Sequence, residues 1–168
     1  MTQLEYETFV AAPMAQVYKY AADPRNWVEW YPGTHEVEHA PEGLPRVGDE
    51  WEESIKIAGM WMRFTWRATE VEAPRAWTIE GRAKIQGPLK LAVPGGTATL
   101  RHRLEEREGG TSYRREITFH MSSPLLRLAS RLLLKRKMDA ELEAALRSLK
   151  RIVEGMQIVR SSHSEDSA

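Results

Sequence analysis

Between residues 49 and 121 the chain alternates apolar and polar side chains, run after run. Trp51, Glu53, Ile55 and Ile57 share one parity, against Glu50, Glu52, Ser54 and Lys56. Met60, Met62, Phe64, Trp66 and Ala68 repeat the pattern, and Trp77, Ile79 and Gly81 continue it. Ala98, Leu100, His102 and Leu104 form the next run, and Tyr113, Arg115, Ile117, Phe119 and Met121 the last. Successive side chains of a strand point to opposite faces, so each run predicts one dry and one wet face. That is the pattern of an antiparallel sheet wetted on one side. Gly59, Ala73-Pro74 and Gly109-Gly110 fall where hairpin turns are needed. The Gly- and Pro-rich stretch Gly87–Gly96 reads as a connection.

The flanks add helices. Gln3–Ala11 reads as a first strand, and Pro13 is tolerated in the first turn of a helix that carries Val17, Tyr18, Tyr20 and Ala21. Asp23-Pro24 restarts the chain as a cap followed by a second short helix through Trp27 and Trp30, closed by Pro32-Gly33. His35–His39 is a weak strand. After Pro124, Leu125, Leu128, Leu132, Leu142, Leu146, Leu149 and Val153 recur at spacings of three and four. They predict a helix to about Glu154 with Gly155 as its stop. At ~45 Å such a helix is longer than any strand here, so it has to cross the whole sheet. Residues 1–155 then form one domain, and 156–168 a polar tail expected to be disordered.

Composition excludes several functions. The 168 residues carry 24 basic and 24 acidic side chains, which gives no net pull toward nucleic acid. With no cysteine, disulfides, thiolate catalysis and Cys-ligated zinc are out. No apolar run reaches membrane-spanning length, and the N-terminal segment lacks signal-peptide character, so a cytoplasmic protein is expected. No nucleophile elbow, phosphate loop or dinucleotide fingerprint is present, and no cofactor is expected. His35 and His39 would lie ~13 Å apart on one strand face, too far to share a metal ion. The basic residues between Arg127 and Arg151 read as the solvated face of the long helix rather than a membrane-surface helix.

The order of strand, two short helices, strand meander and long helix resembles the START-like helix-grip superfamily, also called SRPBCC. Its members include birch-pollen-allergen-like and polyketide cyclase/dehydrase-like proteins. The resemblance spans residues 3–155 and rests on AAPMAQVYKYAADPRNWVEWYPG, then VGDEW at Val47–Trp51, TEVEAPRAW at Thr69–Trp77, GGT at Gly95–Thr97 and Leu149. It implies an α+β fold in which a curved antiparallel sheet of about seven strands wraps the C-terminal helix and leaves a cavity between them. It does not choose an activity, because the superfamily spans carriers, sensors and enzymes.

The alternation says which side chains would face such a cavity. Trp51, Ile55, Ile57, Met62, Phe64, Trp66, Trp77, Ile79, Leu100, Ile117 and Phe119 come from the dry face. Leu128, Leu132 and Met138 come from the long helix, and Trp27, Trp30 and Tyr31 form an entrance. The bland alternative for each is a packed core. Glu53, His102 and Arg115 interrupt the dry face, and a buried ionisable group needs a partner, water or ligand. Arg115 is suited to a carboxylate or polarised carbonyl, His102 to acid/base work, and Glu53 to pairing with either. The alternative for each is a strand end reaching solvent, or a mutual structural salt bridge. The leading expectation is binding of a small hydrophobic ligand such as a lipid, polyketide or aromatic metabolite. A cofactor-independent cyclase or dehydratase using His102, Arg115 and Tyr113 is the alternative, and a protein-interaction module the third. A homodimer is compatible with each.

Overall fold

A computed structural model describes residues 2–57, 59–86, 92–121 and 135–165. The expected helical residues Leu125, Leu128 and Leu132 lie outside the described residues. The elements are β1 (Thr2–Val10), α1 (Met14–Ala22), a 3₁₀ turn (Pro24–Asn26) and α2 (Trp27–Trp30), then β2 (Thr34–Glu38), β3 (Glu50–Ile57) and β4 (Met60–Glu72). They continue with β5 (Ala76–Gln86), β6 (Ala92–Arg107), β7 (Gly110–Met121) and α3 (Lys135–Glu165). The seven strands form one antiparallel sheet in the order β1-β7-β6-β5-β4-β3-β2. This is the α+β helix-grip arrangement expected of the chain.

The parities of the sequence become the two faces of the sheet. Trp51, Ile55, Ile57, Met62, Phe64, Trp66, Ala68, Trp77, Ile79, Ala98, Leu100, Leu104, Tyr113 and Ile117 are all buried on one side. Register aligns them into rows, because antiparallel partners on one face sit side by side. One row runs Tyr6, Arg115, His102, Trp77 and Val71 across five strands. The next runs Leu4, Ile117, Leu100, Ile79 and Ala68.

The short helices begin as the sequence indicates. The Asp23 side chain accepts a hydrogen bond from the Arg25 backbone N–H at 3.0 Å, capping the turn that Pro24 opens. Trp27 Nε1 donates to the Ala21 carbonyl at 3.2 Å, which pins α2 against the end of α1.

Two boundaries depart from expectation. β5 and β6 already pair at Gln86 and Ala92, so the connection is shorter than Gly87–Gly96. α3 does not stop at Gly155 but runs on to Glu165. A helical glycine costs only about 1 kcal/mol relative to alanine, which is too little to end a helix held on both sides. α3 buries Met138, Leu142, Ala145, Leu146, Leu149 and Val153. It packs most closely on β1, α1 and α2. Lys150 Nζ donates to the Phe9 carbonyl at 2.8 Å, and Glu154 Oε1 accepts from the Ala11 N–H at 2.8 Å, tying α3 to the end of β1.

Candidate functional site

The concave face of the sheet meets α2 in an interior pocket. Its walls are Trp27, Trp30 and Tyr31 from α2 and the residue after it, Glu53, Ile55 and Ile57 from β3, Phe64 and Trp66 from β4, Leu100 from β6, and Arg115, Ile117 and Phe119 from β7. Trp51, Met62, Trp77 and Ile79, expected as lining, are buried but are not among the residues of these walls. Met138 is buried on α3.

The open cavity expected from the sequence is not what these residues enclose. The free volume is about 20 Å³, room for roughly one water. Ring packing explains the closure. Phe64 stacks on Trp66 with centroids 4.6 Å apart, while Trp27 sits edge-on to Trp51 at 5.7 Å and to Trp66 at 6.4 Å. Such edge-on and offset contacts are favourable, so the indoles fill the space themselves.

Glu53 and Arg115 share this pocket but not a salt bridge. Glu53 is 3% exposed. One of its carboxylate oxygens accepts from Thr34 Oγ1 at 2.5 Å, the other from Trp66 Nε1 at 2.8 Å. Burial is the largest influence on this carboxyl and raises its pKa above the usual carboxylate range, against those two hydrogen bonds and the charge of Arg115. Arg115 is 8% exposed. Its guanidinium carbon lies 5.1 Å from the ring centroid of Tyr31 and 5.6 Å from that of Trp30. Its Nε and Nη1 are buried without a hydrogen-bond acceptor, and so is Trp30 Nε1. Burial pushes the Tyr31 hydroxyl up to about 12, so it stays protonated at neutral pH.

His102 and Tyr113 lie off the pocket. The imidazole stacks on Trp77 at 4.2 Å and 3°, and its Nδ1 shares a hydrogen bond with the Tyr113 hydroxyl at 2.7 Å. Tyr18 closes the cluster edge-on to Trp77 at 5.3 Å. Burial first, then the charge of Arg115, holds the imidazole well below its ordinary pKa. Burial raises the Tyr113 hydroxyl, with Arg115 opposing. The pair is thus a neutral hydrogen bond inside an aromatic column. His35 packs its ring on Trp61 at 4.4 Å, and His39 follows the end of β2 at φ 57°.

Two buried or half-buried polar contacts, one at the pocket and one between β1 and α3, carry no signal in the sequence pattern. Thr34 is buried and donates to Glu53 from the neighbouring strand. Tyr6 donates its hydroxyl to Asp139 of α3, bridging sheet and helix. Only strand register and helix placement reveal either one.

A family model described as "Polyketide cyclase / dehydrase and lipid transport" matches residues 1–154. No curated protein matches the sequence at a significant level. Solved structures share the fold at low identity. A protein of Thermus thermophilus superposes with TM-score 0.69 at 15% identity, covering 92% of this chain and 99% of that one. A protein of Rhodobacter sphaeroides gives 0.66 at 20% identity, with 92% and 93% covered. Ara h 8.0201 gives 0.60 at 15% identity, with 94% and 98% covered.

Proposed function

The chain belongs to the polyketide cyclase/dehydrase and lipid transport family, and from that premise we propose that it binds a small hydrophobic molecule between α2 and the concave face of the sheet. The observation that carries this reading is the aromatic pocket whose buried donors, Arg115 Nε and Nη1 and Trp30 Nε1, have no acceptor. Buried polar groups in folded proteins are nearly always paired. Trp51 and Trp77 Nε1, Arg63 Nε and His102 Nε2 also lack a hydrogen-bond partner elsewhere. Arg115, however, is the unpaired cation in this pocket's wall, which favours an absent partner there. A ligand pocket usually spans hundreds of Å³. The closed state of about 20 Å³ therefore opens on binding by displacing Trp27, Trp30 and Tyr31. Trp27 and Trp30 sit on a four-residue helix and Tyr31 directly follows it, an element short enough to shift without dismantling the sheet.

The cyclase or dehydratase reading has narrower support. His102 and Tyr113 face an aromatic column rather than the pocket. Within the pocket wall Glu53 has the raised pKa of a candidate acid or base, but both its oxygens already accept hydrogen bonds from the protein.

Native mass spectrometry of the purified protein and tryptophan emission during titration with lipophiles test the binding reading. A retained apolar ligand, or a saturable change in emission from Trp27, Trp30 and Trp66, is expected. Unchanged emission across alkyl, isoprenoid and aromatic probes, together with an empty mass spectrum, would sink it.

A further inference from the structure

We propose that the molecule this pocket takes is a lipophilic carboxylate, an apolar body ending in an anionic oxygen head that docks on Arg115. The inference rests on the binding reading above and narrows its ligand class.

The charge and hydrogen-bond balance of the pocket carries it. A guanidinium has five N–H donors, no acceptor, and keeps its charge at any physiological pH. Arg115 brings that cation into a wall that, apart from Glu53 and the Tyr31 hydroxyl, is made of aromatic and aliphatic side chains. Two of its nitrogens, Nε and Nη1, are buried with no acceptor. The faces of Trp30 and Tyr31 partly offset the desolvation, but a ring face accepts no in-plane N–H. The carboxylate that shares the pocket, Glu53, is committed to Thr34 and Trp66. The wall therefore holds surplus donors on a buried cation that makes no salt bridge with Glu53.

Nε and Nη1 lie on different edges of the guanidinium, each edge shared with Nη2, so a carboxylate can meet either nitrogen in a charge-assisted hydrogen bond. Trp30 Nε1, also buried and unpaired, adds a neutral donor from the element that closes the pocket. A carboxylate has about four lone-pair sites, enough for one edge of the guanidinium and an indole N–H. A hydrocarbon end would leave these donors unpaired, and an alcohol end would accept one hydrogen bond without supplying a countercharge. The apolar walls meanwhile require the remainder of the ligand to be hydrophobic.

Two matched pairs test this at pH 8 by isothermal titration calorimetry: decanoate against decan-1-ol, and 2-naphthoate against 2-naphthylmethanol. In the wild type each acid should bind roughly 10–100-fold tighter than its alcohol, the ratio expected for a charge-assisted hydrogen bond. Arg115→Met should bring the two members of each pair to within about threefold while alcohol affinity changes little. The wild-type ratio needs no variant, so the test survives even if Arg115→Met fails to fold. Equal binding of acids and alcohols by the wild type would overturn the carboxylate inference and leave the binding reading standing. An acid preference that persists in Arg115→Met would overturn the role of Arg115. Absence of binding by all four probes would overturn the inference, and the native mass spectrum separately decides the broader reading.

Discussion

His102 shows how far burial can displace the chemistry that a residue type suggests. The unfolded chain takes up a proton on this ring below about pH 6.5, while the folded chain, with its imidazole held well below that value, does not. Acid therefore favours the unfolded state, and the contribution of His102 is complete only above that pH. Glu53 acts in the opposite sense. Its unfolded carboxyl loses a proton near pH 4.5 and the folded one holds it to higher pH, so its contribution is complete in acid and fades as pH rises. In urea unfolding at pH 7.5 and 5.5 the His102 contribution should fall with acid by up to about 1.4 kcal/mol per pH unit for one proton, with Glu53 opposing it. His102→Phe should flatten that fall, and equal slopes would show that the ring titrates normally. Gly81 offers a steric test. A Cβ there would lie 2.4 Å from Cε3 of Trp66, where that ring stacks under Phe64. Gly81→Ala should cost about 1–3 kcal/mol and shift the emission of Trp66. Glu53, His102 and Arg115 were legible in the sequence because each breaks the parity of a dry strand face. Their partners were not. Thr34 reaches Glu53 across a strand pair whose register shifts between Thr34 and Glu36, and alternation alone does not encode register.

At the scale of elements, α3 separates what periodicity specifies from what it leaves open. The apolar stripe fixed which side of the helix is buried, and Leu149 and Val153 are indeed fully enclosed. The C-terminal end was misplaced because Gly155 permits a stop without requiring one. It lies within the helix, and a Cβ added there meets nothing within 4 Å. Gly155→Ala should accordingly raise stability by about 0.5–1 kcal/mol in thermal unfolding. Leu149→Ala removes a side chain with no solvent exposure and should cost about 2–5 kcal/mol, because the surrounding α3–β1 packing cannot fully collapse. The turn at Gly109 was readable for a different reason. β6 and β7 pair as close as Arg107 and Gly110, and Gly109 takes φ 76°, a conformation that glycine adopts without a steric penalty.

For the whole molecule, the sequence disclosed a sheet with one dry face and a helix to cover it, but not that, among the described residues, indoles fill the space beside α2. Strand parity records which face a ring is on, whereas the 4.6 Å stacking of Phe64 on Trp66 depends on rotamers that no alternation encodes. Closure has a thermodynamic signature. A ligand that binds only the folded state should add about 2.7 kcal/mol of stability at a hundredfold excess over its Kd. Differential scanning fluorimetry in rising decanoate should show the melting temperature climbing without a plateau, and Arg115→Met should blunt the climb.

The sheet order carries a consequence for the making of the protein. β1 has a single neighbour, β7, with Thr2 opposite Phe119 and Val10 opposite Thr111. At ribosomal speeds of roughly 5–20 residues per second, β1 waits about 5–20 s before its partner has been made. Through that interval Leu4 and Val10 lack the cover they have in the folded protein, and every hairpin from β2 to β7 can assemble first. An N-terminal truncation that deletes β1 therefore should not yield a smaller stable domain. It should leave the 12-residue strand β7 as an open edge, a template for pairing between chains, and so a product that aggregates.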